Sequence, residues 1–428
     1  KHVNRLTKTI SLLADAPLQS PVPEISRQAY LEMISLSKLF RGRVQSFGVH
    51  ASALLLFPDN AERWCAIEGQ RDEFVTAFDH QEMEELGLLK LDVLGVSALD
   101  TVDAMLREIT PTLDLTTIPE DDEKTINLLR SGATFGIFQM GSAGMDRLVS
   151  AANPQCRQDL TPLLALYRPG PLQSGMAKEY LRVGEASSGP GYLHPDLVSI
   201  LESTRGQIIF QEQIMQIAAV MGGFDLGEAD LFRRAVAKKK PGEMERVLGE
   251  FTQRCLQRGY KEEIIDELVT SLGKFADYAF NKSHSAAYSM LTYQMAFLKA
   301  HYPARFLCSA LNVDLGDCEK AARYIAEARV LGINVQGPDM KNPLLTWWLK
   351  DDRTLVAGLG AIKGIGNVSV PANPGLSGLE YLKLLNSGAG KLRKNVVQSL
   401  VTAGCFEADT DAVAKELGIE VPADGNFA

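Results

Sequence analysis

The hydrophobic pattern changes period at Gly95, and that change limits the folds open to the chain. Over Leu89-Lys90-Leu91-Asp92-Val93-Leu94-Gly95 apolar and charged residues alternate. This is the period of a β-strand, with Leu89, Leu91 and Val93 on a packing face and a cation and an acid on the other. From Ser97 and Asp100 through Val102, Met105, Leu106 and Ile109 the spacing becomes that of a capped amphipathic helix. Helical spacing then continues to about Gly332, punctuated at Pro119, Pro169, Pro171, Pro190, Pro195, Pro241 and Pro303. The expected fold is α+β and mostly helical.

Four segments follow from the punctuation. Residues 1–48 read as small helices, with Pro17, Pro21 and Pro23 separating an opening helix from a second one at Ser26 to Leu39. Residues 49–100 read as a short α+β piece, with strand-like runs at Ala53 to Phe57 and Leu88 to Leu94 and a loop around Pro58 to Glu62. Residues 101–331 form one large helical domain. Residues 332–428 form a smaller module with a hairpin from Thr346 to Gly358 turning at Asp351 and Asp352, glycine-rich loops, and a helix near Lys391 to Thr402. No repeat or low-complexity tract interrupts this order.

With 428 residues, 46% of them hydrophobic, the chain can bury cores for two to four domains. No apolar run is long enough to cross a bilayer and no secretory leader is evident, so no membrane is expected. The chain begins at Lys1 and reads as a fragment of a longer polypeptide. Six cysteines are scattered without a Cys-x-x-Cys pair, which argues against a zinc ribbon or disulfide framework and for a reducing cytoplasm. A formal charge of −9 opposes non-specific association with nucleic acid, so any such partner needs local basic patches.

Several motifs could carry chemistry. Asp92 on a stiff strand can ligate a divalent metal, and Lys90 beside it can neutralise a phosphate; the alternative is a strand whose outer face is simply wet. Arg233, Arg234, Lys238, Lys239 and Lys240 form the densest basic run, ended by Pro241. On a helix Arg233, Arg234 and Lys238 fall within about one turn, suited to a triphosphate or nucleic-acid backbone, or they complement a helix C-terminus. Phe280-Asn281-Lys282-Ser283-His284-Ser285 precedes a strongly helical stretch and could bind an anion or stack a base through Tyr278 or Phe280; alternatively Ser283 or Ser285 is an N-cap and His284 is structural. Tyr167-Arg168-Pro169-Gly170-Pro171 reads as a stiff turn that fixes Arg168 for phosphate recognition, or as an ordinary interdomain turn. Thr134 to Gln139 and Gln211 to Gln216 mix apolar residues with amides, and their polar members take no role from pattern alone. Lys363, Gly364 and Gly366 resemble the hairpin of a helix-hairpin-helix element, or a simple glycine turn, with Pro371 and Pro374 interrupting the second helix.

Seven segments in order, LLKLDVLG at 88–95, TFGIFQM at 134–140, LYRPGPLQSGM at 166–176, GQIIFQEQIMQIA at 206–218, ADLFRRAVAKKKPGEM at 229–244, FNKSHSAAYSMLTYQMAFLKAHYPA at 280–304 and GLGAIKGIG at 358–366, together resemble the alpha subunits of bacterial DNA polymerase III, the C-family replicative polymerases. The resemblance implies thumb-derived helices over 1–48, the rear of the palm over 49–100, fingers over 101–331, and the end of the fingers with the hairpin and helix-hairpin-helix-like module over 332–428. It implies that Asp92 is the third catalytic carboxylate and a Mg²⁺ ligand, with Lys90 beside it. Arg233, Arg234, Lys238, Asn281, Lys282 and His284 become nucleotide-binding candidates, and Arg168, Lys239, Lys240, Lys363, Gly364 and Gly366 DNA-binding candidates. The implied reaction is two-metal nucleotidyl transfer of dNTPs onto a primer 3′ end, with primer-template DNA, the remainder of the alpha subunit, the sliding clamp and other replisome subunits as partners.

The family's other two palm acids belong to an upstream paired-Asp motif that this chain lacks, as it lacks the preceding Gly-Ser-rich loop and amino-terminal phosphatase-like domain. Neither Glu120 to Glu123 nor Asp351 with Asp352 replaces the acids, and Gly141 and Ala143 stand where the pattern has Glu and Arg. The chain alone is therefore expected to be inactive. The alternative is a non-catalytic DNA-binding or replisome assembly module.

Overall fold

The computed structural model describes residues 27–40, 49–50 and 52–419, apart from 71–72, 94, 110–112, 186–190, 239–240, 276–277, 366–367, 369, 388–391 and 407–408. The chain divides into two compact units, Lys1–Gly95 and Val96–Ala428. Helices dominate and the strands are short, as the mostly helical α+β reading expects. No helix among the described residues is long and apolar enough to cross a membrane.

The first unit contains α1 (Arg27–Phe40), β1 (Ala53–Leu56), β2 (Ile67–Gln70), β3 (Glu73–Thr76), α2 (His80–Glu85) and β4 (Leu89–Asp92). The other helices expected over residues 1–48 lie outside the described residues. β1 and β4 pair antiparallel, with Leu54 opposite Leu91, Leu56 opposite Leu89, Leu55 opposite Lys90 and Ala53 opposite Asp92. β2 and β3 form a hairpin that the sequence reading did not contain. Opposed residues share a sheet face, so the apolar set and the charged set separate as the alternation requires. Their environments are the reverse of the expectation. Leu89 is 57% exposed and Val93 61%, whereas Leu55, on the face of Lys90 and Asp92, packs on the small core of Cys65, Met83 and Leu88. Period fixes which residues share a face, but only the neighbouring elements decide which face is covered.

The second unit opens with α3 (Ser97–Glu108), α4 (Glu123–Ser131), α5 (Ala143–Ala152), α6 (Leu160–Leu166), α7 (Pro169–Gln173), α8 (Met176–Glu185) and α9 (Val198–Leu201). It continues with α10 (Gln211–Gly222), α11 (Leu226–Lys238), α12 (Pro241–Gln257), α13 (Glu262–Phe275), α14 (Lys282–His301), α15 (Pro303–Val313) and α16 (Cys318–Val330). β5 (Asn334–Gln336), β6 (Trp348–Asp351) and β7 (Thr354–Val356) precede α17 (Gly378–Leu385), α18 (Lys394–Thr402) and α19 (Thr410–Leu417). α3 starts where expected, but its N-cap is Val96 with no side-chain cap bond, so Ser97 does not cap it. The stiff turn expected at Pro169–Pro171 is the short helix α7, because proline at the first helical position loses no intrahelical donor. The hairpin forms at β6–β7 as expected, and β5 adds to β7 in parallel.

Three cores organise this unit. The first joins α3–α6, α8 and α14–α16 with the sheet, the second joins α9–α13, and the third joins α17–α19. Each fully buried Leu or Phe in them contributes about 1.5–3 kcal/mol relative to exposure. α14 is buried on several sides: its Tyr293 hydroxyl donates to Pro119 O at 2.8 Å and accepts from Asp122 N at 2.9 Å. Lys299, wholly buried, donates to Phe135 O and Glu327, each at 2.7 Å. Gly136, at φ +81°, passes so close to Tyr324 that a Cβ there would lie 2.7 Å from the ring.

Candidate functional site

The second unit brings three separated sequence motifs together at one backbone pairing. Phe280 N donates to Ile209 O at 2.9 Å and Gln211 N to Phe280 O at 2.9 Å, a parallel bridge between Phe210 and Phe280. The bridge sets the starts of α10 and α14 side by side. Gln213, 1% exposed, locks it: its Oε1 accepts from Ile209 N and Phe210 N at 2.8 and 2.9 Å, and its amide donates to Thr204 Oγ1 at 2.7 Å. The same amide also donates to Ile200 O at 3.1 Å, and these four bonds around one buried amide make a rigid platform.

Asn281, not Ser283 or Ser285, is the N-cap of α14, accepting from His284 N at 2.8 Å. Glu212 accepts from Lys282 N at 2.9 and 3.1 Å. A carboxylate therefore already occupies the positive end of α14. Lys282 Nζ lies 5.9 Å from the Phe210 ring centroid. The exposed His284 ring stacks on Tyr288 at 3.9 Å and meets the edge of Phe280 at 5.4 Å. Ser285 is buried and donates to Thr161 O.

Arg168 is held in a set direction, as expected, but toward the protein. Its guanidinium donates to Ala165 O and Tyr278 O at 2.8 Å each and lies 4.2 Å from the Phe280 ring centroid. Burial lowers its pKa, while the ring face and two carbonyls favour the cation. Arg233 reaches the same platform from α11, donating to Gln211 Oε1 at 2.9 Å and to Asp230 at 2.6 and 3.0 Å. Arg234, 60% exposed at its side chain, bonds the other Asp230 oxygen at 2.8 Å. The Arg233 hydrogen bonds keep the Asp230 carboxyl below its usual range. Lys238 ends α11, and Lys239 and Lys240 lie outside the described residues.

Asp92 and Lys90 belong to the first unit. Lys90 Nζ bonds the two Asp92 oxygens at 3.0 and 3.1 Å, and His50 Nε2 lies 3.9 Å from Oδ1. Among the described residues no group of three or more His, Cys, Asp or Glu could hold a metal. One carboxylate does not fit a complete magnesium site, which needs near-octahedral oxygen ligation.

Gly364 turns at φ +95°, but the flanking structure departs from a helix-hairpin-helix. Among the described residues, a 3-10 turn at Leu359–Ala361 precedes it and the next helix after it is α17, from Gly378. Pro371 and Pro374 lie outside helix; inside one, each would remove a backbone donor. Lys363 is exposed and Gly366 lies outside the described residues.

Gln211, Glu212, Gln213 and Asp230, which no pattern assigned, set the geometry of the site. A sequence signal existed for one of them: an amide or acid in the first turn of a helix reaches back to cap it, as Gln213 does.

A family model of the bacterial DNA polymerase III alpha subunit finger domain matches residues 96–259, and one of the bacterial DNA polymerase III alpha NTPase domain matches residues 2–95. The DNA polymerase III subunit alpha of Escherichia coli K12 is 35% identical over 95% of this chain and 37% of that protein. Those of Pseudomonas fluorescens and Vibrio cholerae are 38% and 36% identical over 80% and 88% of this chain. The chain spans about a third of the length of these curated relatives.

Proposed function

We propose a replicative role from one established premise: this chain belongs to the bacterial DNA polymerase III alpha subunit family. It supplies the nucleotide-facing fingers and one palm strand of a DNA-directed DNA polymerase that adds dNTPs to a primer 3′ end on a template by two-metal nucleotidyl transfer. The observation that carries this reading is the convergence of Arg168, Arg233 and the Asn281–His284 turn on the Phe210–Phe280 bridge. Rigid cations and aromatic faces at one place suit a triphosphate and a base.

In this reading Arg234, Lys238 and Lys282 meet the incoming triphosphate, Arg233 shifts part of its bonding from Asp230 to phosphate, and His284 with Tyr288 offers a stacking face. Arg168 holds the Tyr278–Phe280 segment in place beside the DNA. Lys239, Lys240, Lys363 and the Gly364 and Gly366 backbone contact DNA phosphates. Asp92 serves as one Mg²⁺ ligand, and Lys90 orients its carboxylate or, on metal binding, turns to a phosphate. Because Asp92 alone does not complete the metal site, the chain by itself does not polymerise. Clamp and other replisome subunits are the expected partners of the whole enzyme.

The test is reconstitution with a separately produced upstream segment of a relative. Mg²⁺-dependent primer extension should appear with the wild-type chain and fail with Asp92→Asn. DNA binding without any extension in the wild-type mixture would select the non-catalytic module instead.

A further inference from the structure

A cavity of about 620 Å³ opens in the second unit, within the range of small-molecule sites. Its apolar wall joins two cores: Leu311, Trp347 and Ala357 belong to the first, and Ile362 and Ala403 pack on the third. The cavity therefore lies at the seam between the β5–β7 sheet and the terminal helices. It shares no lining residue with the Phe210–Phe280 platform.

Its polar groups are unevenly engaged. The two acids on it are occupied: Asp314 bonds Lys320 and Tyr324, and Asp317 accepts from Lys320 N as the N-cap of α16. The two cations are not. Arg329 and Lys363 are exposed at the cavity and, among the described residues, neither side chain makes a hydrogen bond or ion pair. Gln336, Asn395 and Gln398 add amides whose side chains have no hydrogen-bond partner among the described residues. An apolar wall, two unengaged cations and three amides complement an apolar body bearing a negative group.

We infer that this seam is a second ligand site, for an anion with an apolar aromatic body, separate from the Phe210–Phe280 platform. Occupancy ties the terminal helices to the sheet and stabilises the unit by mass action. The inference goes beyond the polymerase reading and stands without it.

The probe is 8-anilinonaphthalene-1-sulfonate, added to the full chain. One saturable site should appear by fluorescence, and the probe should slow alkylation of Cys318, the exposed thiol on the cavity, by neutral iodoacetamide while leaving Cys156 unaffected. Arg329→Glu with Lys363→Glu should weaken binding at least about tenfold, the difference of roughly 1.4 kcal/mol expected when an attractive charge pair becomes repulsive. Ala321→Trp should fill the cavity and abolish binding. Should that variant fail to fold, the charge reversals at exposed positions still decide. Lack of a saturable site, affinity indifferent to the double reversal, or unchanged Cys318 alkylation at saturation would each overturn the inference.

Discussion

Arg168 and Arg233 show how a side chain can match its sequence motif and still surprise in its partners. Both were candidates for phosphate, and both are engaged by protein: carbonyls and an aromatic ring for Arg168, Gln211 and Asp230 for Arg233. The Tyr278 carbonyl lies 110 residues from Arg168 and Gln211 lies 22 from Arg233, so no local pattern names them, whereas Ala165 and Asp230 are each three residues away. Arg254 behaves likewise, forking onto Glu228 at 2.8 and 2.9 Å. These bonds, with one from Asp225 N, lower the Glu228 pKa from 4.5 to about 2. A carboxyl depressed in the folded state stabilises above its unfolded pKa and loses that contribution as pH falls. The melting temperature of the wild type should therefore exceed that of Glu228→Gln most above pH 4.5, with the gap closing toward pH 2. A gap independent of pH would show that the fork adds no charge-dependent stability.

Among the elements, α14 depends most on context. Its start is fixed by Asn281 and Glu212, and its far end carries Lys299 into the interior to face Glu327 and Phe135 O. Burial disfavours both charges, lowering the Lys299 pKa and raising that of Glu327, whose Oε2 has no hydrogen-bond partner among the described residues. The pair is tolerated because each charge compensates the other. Lys299→Met should cost about 3–5 kcal/mol in urea denaturation by stranding Glu327, while adding Glu327→Leu should recover most of the loss. Equal destabilisation of single and double variants would mean that Lys299 acts through packing. The element boundaries were readable where prolines and caps punctuate the pattern. Arg27–Phe40, the β6–β7 hairpin and Lys394–Thr402 fall within a few residues of their expected limits. The β2–β3 hairpin and β5 do not show in the sequence pattern because β2 (Ile-Glu-Gly-Gln) and β5 (Asn-Val-Gln) each carry one large apolar residue, too few to set a period.

At the scale of the whole molecule, the three large cores contain only residues from Val102 onward. Residues 96–428 made alone should therefore unfold cooperatively on heating, as followed by far-UV circular dichroism; a broad, featureless melt would refute their autonomy. By itself the sequence determined the helical character and the family, because periodicity and motif order are properties of a linear string. It determined the site only as scattered fragments. Tertiary structure alone decided that Arg168, Gln211, Arg233 and the Asn281 turn share one platform, that Leu89 and Val93 face outward, and that a cavity opens at a seam between cores. Each depends on which distant surfaces meet, and burial and pairing energies act through space rather than along the chain.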